Sequence, residues 1–201
     1  MKSRNEINKN LFYCEHLFDR NNITRELQNS FYIEQKSGIG LEIYLKVYSE
    51  SDEVRNENRT YIVRDTNTDE VAGYFSLKAG LFSIREIKET SYEGEMAQFE
   101  TLPGIELSAF AVNQKYIADH PNKKGCGTVI FFGLIMPLVK QVQETIGVKV
   151  IYIFALPQQR LIDTYANEYG FRRLDKCDEE NLHKRLKPRF DHGCIFMYQL
   201  I

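Results

Sequence analysis

The residues best suited to chemistry are Gly125-Cys126-Gly127, with Lys123 and Lys124 just ahead of them and a long apolar run behind. Glycines let the backbone approach a ligand and aim successive N–H groups at anionic oxygens, and a helix N-terminus adds positive potential there. The two lysines could add charge-assisted contacts to a phosphate. A Gly-x-Gly alone also occurs as a plain tight turn, so its surroundings decide its meaning. Ahead of it, residues 105–112 are small or apolar except Glu106 and Ser108, the pattern of a strand buried on both faces. A lone carboxylate there is costly unless paired, and burial tunes such a group toward general-base work. The alternative is a Glu at the solvated end of the strand.

Other reactive residues carry weaker patterns. Cys14, Cys126, Cys177 and Cys194 form no CxxC pair, which argues for reduced thiols and a cytoplasmic protein. Cys126 stands at a helix start, which lowers a thiol pKa, yet sits between two glycines. His183 and His192 flank a basic stretch with Lys184, Arg185, Lys187 and Arg189, and no metal-ligand spacing accompanies them.

The elements that must position these groups follow from periodicity. Residues 11–20 and 23–35 have helix-like apolar spacing, whereas residues 40–48 alternate Leu41, Ile43, Leu45 and Val47 as a strand would. Residues 49–59 read as an exposed loop or helix end with Val54 its one core residue. Residues 60–64 and 71–77, joined by the turn-prone DTNTDE, make a hairpin, and residues 79–84 could continue its second arm. Pro103-Gly104 signals a turn. After the glycines, a core helix over about residues 128–145 ends at Gly147, and residues 148–156 form the strongest strand. A helix over 161–169 stops at Gly170, with strands at 171–174 and 194–200. That order predicts an α/β domain with a mixed sheet.

From about Thr60 onward the chain resembles the GNAT superfamily of N-acyltransferases. The resemblance rests on Asn122-Lys123-Lys124-Gly125-Cys126-Gly127 against a Gln/Arg-x-x-Gly-x-Gly/Ala loop, the strand VKVIYIFAL, and Tyr169-Gly170-Phe171 closing a helix. Asn122 departs from Gln/Arg, and the loop between Val112 and Gly125 is longer than the family's. The resemblance implies a largely antiparallel mixed sheet flanked by helices, spanning residues 1–201 as one domain: an acceptor-side helical segment (1–59) and a cofactor-binding core (60–201). It implies acetyl-coenzyme A as acyl donor and no metal. The diphosphate would lie on residues 122–127 and Thr128, and the pantetheine amides on the backbone of Phe110, Ala111 and Val112. By the same resemblance Glu106 is the base. Tyr165 is the acid, one residue before the family's tyrosine position, here Ala166. Core packing of Ile162, Tyr165 and Tyr169 on the sheet is the alternative.

Composition bounds the partners. Hydrophobic residues make up 43% and charged residues 27%, the balance of a globular protein. The apolar run over residues 129–139 is short of the roughly 20 residues a membrane span needs. The net charge of −2 argues against nucleic acid. Aromatic residues Phe12, Tyr13, Phe18, Phe31 and Tyr32 beside Glu15, Asp19 and Glu34 suit a cationic acceptor, a small amine or a protein amino group. The oligomeric state stays open, a dimer included. The expected activity is direct acetyl transfer to an amine in a ternary complex. The alternatives are a non-catalytic acyl-coenzyme A-binding module and a toxin that acetylates charged tRNA.

Overall fold

A mixed sheet of seven strands, ordered β1-β2-β3-β4-β5-β7-β6 and flanked by helices, forms the frame. The computed structural model describes residues 11–19, 23–91, 94–185 and 193–201. The strands are β1 (Phe12–His16), β2 (Arg59–Asp65), β3 (Val71–Ser91), β4 (Gly94–Val112), β5 (Val150–Ala155), β6 (Arg172–Arg173) and β7 (Ile195–Leu200). The helices are α1 (Ile23–Ser30), α2 (39–54), α3 (Gln114–Asp119), α4 (Cys126–Ile146), α5 (159–168) and α6 (Lys176–Arg185). These residues group into two compact units, one of Met1–Lys78 and Leu107–Gln141, the other of Ala79–Glu106 and Val142–Ile201.

In the first unit, β1 lies antiparallel on β2, and β2 on β3 with a register shift between Val63 and Arg64. The expected hairpin therefore forms. Its turn is held by the Asp65 carboxylate, which accepts from the Asn67 N–H, and by Asp69 at a φ of 62°. Leu27 of α1, Phe31, Leu45 of α2, Ile62 and Tyr74 pack into one core. Each such burial contributes about 1.5–3 kcal/mol. On α4 the core face is Ile130, Phe131, Ile135 and Val139, all fully buried. A π turn at Phe131–Ile135 adds one residue to that spacing. By length and composition alone this 21-residue helix could cross a membrane, but its apolar stripe is used as core.

Three expectations about the N-terminal segment are corrected. Residues 12–16 pair with β2 as an edge strand, in which Phe12 is buried and the four residues after it are half-buried. Residues 39–54 are helical, not a strand: the alternation is incidental, since of the apolar residues only Tyr44 and Leu45 are buried while Ile43 and Val47 are exposed. In residues 49–59 the core members are polar, and Val54 is 73% exposed. Asp52 is fully buried and accepts from Asn58 and Arg55, while Glu53 accepts from the Thr60 N–H and from Arg59. Satisfied in this way, two carboxylates fasten the end of α2 to the start of β2.

Arg64 of β2 is 1% exposed. Its guanidinium donates to Glu15 of β1, to both oxygens of Glu26 on α1 and to the Asp69 carbonyl. Removing one partner of a buried pair strands the rest. Arg64→Ala is expected to cost about 3–5 kcal/mol, roughly 6–20 °C in Tm for a chain of this size. A shift under about 2 °C in a melting curve would show that the network contributes nothing net.

In the second unit, β4 runs parallel to β5 through three pairs, Gly104–Val150, Ile105–Ile151 and Glu106–Tyr152. β5 lies antiparallel on β7 along its whole length, and β6 on β7. Val150, Tyr152, Leu174, Leu182 and Phe196 form the core. Pro103-Gly104 makes no turn. Both lie inside β4, where a side chain on Gly104 would meet Val150 Cγ1 at 2.9 Å. The glycine serves close strand approach, and the Pro103 carbonyl still accepts from the Lys149 N–H. Helix α5 ends at Gly170, φ 80°, as its sequence predicts.

Candidate functional site

The glycine loop is assembled at the end of β4. Phe110 and Val112 are half-buried and Ala111 is buried. Asn113 follows, 2% exposed. Its side-chain oxygen accepts from the Tyr32 and Lys115 N–H groups, and its amide donates to the Ser30 and Val71 carbonyls. One side chain thus caps α3 and fixes the corner where the strand leaves the sheet. The stretch expected as a loop carries α3 and a 3₁₀ turn at Pro121–Lys123.

Gly125 then takes φ 86°, a left-handed conformation that L side chains avoid, and opens α4 as its N-cap. A Cβ built on Gly125 would meet nothing within 4 Å. The space at the Cβ position of Gly125 is open, and the Thr128 N–H closes the first turn of α4 onto the Gly125 carbonyl at 3.1 Å. Such a cradle fits a diphosphate.

Side chains of the loop divide. Asn122 and Lys124 are exposed, and Thr128 is half-buried. Lys123 turns back instead: its Nζ lies 3.6 Å from Asp65 and 5.7 Å above the Phe12 ring. Asp65 also accepts from the Tyr116 hydroxyl, and these partners hold its carboxyl below the usual range although burial opposes them. Cys126 is 4% exposed, and burial pushes its thiol up to about 11 against the pull of its own backbone N–H and of Lys123. Its backbone, not its sulfur, belongs to the cradle.

Glu106 stands half-buried on β4 as the last residue paired with β5. Opposite it is Tyr152, whose hydroxyl lies 3.4 Å from Glu106 Oε2. Sequence reasoning passed over Tyr152, because a tyrosine within VKVIYIFAL reads as core and strand register is not written in one strand. The available signals were Gly80 and Gly104, the two positions that leave room for its ring.

Tyr165 of α5 is 3% exposed, its ring edge-on to Tyr169 and Phe171 at 5.4 Å each. Burial pushes its hydroxyl above the ordinary tyrosine value, so it holds its proton at neutral pH. The helix makes a π turn at Thr164–Glu168, in which the Tyr169 N–H reaches the Thr164 carbonyl. One extra residue per turn offsets the roughly 100° that one α-helical step would add. Tyr165 is buried together with Ile162 and Tyr169. Ala166 faces outward.

The basic stretch and its histidines are only partly described. His183 stands 3.7 Å from Glu179 and edge-on to Phe154. His192, Lys187 and Arg189 lie outside the described residues. Among the described residues no cluster of His, Cys, Asp or Glu forms a metal-ligand set.

No family model and no curated protein matches the sequence. Solved structures match over almost the whole chain. A mutant of the toxin AtaT bound to the C-terminus of the antitoxin AtaR and acetyl-CoA is 17% identical, with 94% of this chain and 92% of that one covered at a TM-score of 0.59. AtaT complexed with acetyl-methionyl-tRNAfMet is 17% identical, with coverages of 92% and 93% and a TM-score of 0.59. The KacTA–DNA complex is 15% identical, with coverages of 94% and 92% and a TM-score of 0.55. At these identities the likeness concerns the fold: the chain has the GNAT fold expected from its glycine loop.

These structures overturn the expected partners. Proteins of this fold are solved with tRNA, with DNA and with an antitoxin. The net charge of −2 is an average over the surface, whereas a polyanion meets local cations. The acidic aromatic segment divides, with Phe18, Tyr32, Asp19 and Glu34 exposed. Phe12 and Phe31 are core, and Glu15 is committed to Arg64.

Proposed function

We propose that this chain is an acetyl-CoA-dependent N-acetyltransferase whose acceptor is the α-amino group of an aminoacyl-tRNA, and that it acts as a toxin. The observation that carries this reading is the fold shared end to end with a toxin solved on acetyl-methionyl-tRNAfMet. It is supported by the open, left-handed Gly125 cradle at the start of α4. The second unit presents exposed Arg160, Arg172 and Lys176, cations that a tRNA backbone could use.

In this reading the backbone of residues 125–128 holds the diphosphate, Lys124 adds charge, and the backbone of Phe110, Ala111 and Val112 receives the pantetheine amides. Lys123, shared with Asp65, orders the loop. Acetyl-CoA supplies an activated acyl group. Glu106 accepts the proton that the aminoacyl ammonium must lose, and Tyr165, protonated, is the donor for the leaving thiolate.

The test is incubation of the protein with acetyl-CoA and charged tRNA, followed by chromatography of the released amino acid. N-acetylated amino acid is the expected product, with tRNA affinity falling steeply as salt rises, and growth arrest on expression. Thiol release with small amines but none with any charged tRNA would overturn the acceptor while leaving the acetyltransferase reading intact.

A further inference from the structure

We propose that Tyr152 is the positioning residue for Glu106: its hydroxyl holds the Glu106 carboxylate in the orientation that receives the acceptor's proton. The proposal rests on the base role given to Glu106 above. The two residues face each other as the last register pair of the β4–β5 ladder, with Tyr152 Oη 3.4 Å from Glu106 Oε2. An ionised carboxylate can only accept, so the phenol is the donor. A separation of this length tightens as an active site fills with substrate.

The placement of the hydroxyl is built in. Tyr152 is 3% exposed, and its ring packs on Phe196 at 5.6 Å and edge-on to Phe154. On β3, a side chain at Gly80 would meet Tyr152 Oη at 1.9 Å. On β4, one at Gly104 would meet Tyr152 Cδ1 at 3.3 Å. Two strands therefore omit a side chain where this ring and its hydroxyl lie. A phenylalanine would fill the core equally well, so packing alone does not account for the hydroxyl or its slot. Burial and the adjacent Glu106 charge push the phenol well above its ordinary value, and Tyr152 keeps its proton throughout: it orients and does not itself exchange.

Tyr152→Phe keeps the ring and removes the donor. The expected result is a loss of about tenfold or more in kcat for aminoacyl-tRNA acetylation, the worth of one hydrogen bond to a charged group. The KM for acetyl-CoA and the Tm should stay at wild-type values. Because Tyr152 acts through Glu106, the double variant Tyr152→Phe/Glu106→Gln should be no slower than Glu106→Gln alone. Wild-type kcat in Tyr152→Phe, losses that multiply in the double variant, or a kcat loss tracking a lowered Tm would each overturn the proposal. Normal turnover in Glu106→Gln would instead overturn the base role, so the two failures read differently.

Discussion

Glu106→Gln will bind acetyl-CoA as the parent does and turn over on the order of 10²–10⁴-fold more slowly, the range of a lost general base. The substitution keeps the size and the hydrogen-bonding reach of the side chain and removes its capacity to take a proton. Position makes the prediction selective. Glu106 sits where β4 leaves its last pair with β5, six residues before Val112 and well before the cradle at residues 125–128. Affinity for the diphosphate should therefore not register the change, whereas kcat should. The loss should show as a lower kcat with an unchanged acetyl-CoA KM, since the missing interaction belongs to the transition state. The substitution is conservative in packing, so the melting temperature without ligand should move little. Turnover that remains normal across the pH range would make Glu106 a structural residue and leave proton removal to water or to another group.

Apolar runs bounded by turn residues marked the parts of the fold that could be read. Helix α4 and β5 could be read because their buried residues are almost uniformly apolar, and the β2–β3 hairpin because two β-rich runs flank a turn with Asp69 at positive φ, although Thr60, Arg64 and Asp65 of β2 are buried too. Helix α2 was misread for a specific reason: Ile39, Ile43 and Val47 are exposed, and a π turn at Tyr44–Tyr48 shifts the phase of what remains. Polar residues misled in the opposite direction. Asp52, Glu53, Arg64 and Asn113 look like surface from composition, yet all are under 5% exposed and satisfied by partners up to 83 positions away. Long-range pairing of this kind leaves no local mark in a single sequence.

The same asymmetry holds for the candidate site. The glycine turn into α4 was legible because Gly125-Cys126-Gly127 stands directly before a long apolar run. Lys123 looked equivalent to Lys124, and only the structure separates one paired with Asp65 from one that is exposed. Tyr152 was hidden because its meaning depends on the register of β5 against β4. The exclusion of nucleic acid rested on an average charge where local charge decides.

Gly125→Val will abolish the rise in melting temperature that acetyl-CoA gives the parent. A ligand bound only by the folded state stabilises it by about 2.7 kcal/mol at one hundred times its Kd, or roughly 5–11 °C for a chain of this size. The loop should lose that gain for a conformational reason, not a steric one. Nothing lies within 4 Å of a Cβ at Gly125, so valine meets no clash. The φ of 86° is what it cannot adopt, since a left-handed conformation costs an ordinary residue about 1–2 kcal/mol and a β-branched one more. The chain will relieve that strain by turning the peptide at Gly125, which redirects the N–H groups entering α4 and closes the cradle. The buried stripe of Ile130, Phe131, Ile135 and Val139 anchors the helix independently, so the variant should still fold, with a melting temperature a few degrees lower. Differential scanning fluorimetry with and without acetyl-CoA measures both quantities in one experiment. A full ligand-induced shift in Gly125→Val, with the unliganded melt intact, would show that the diphosphate is held elsewhere in the chain.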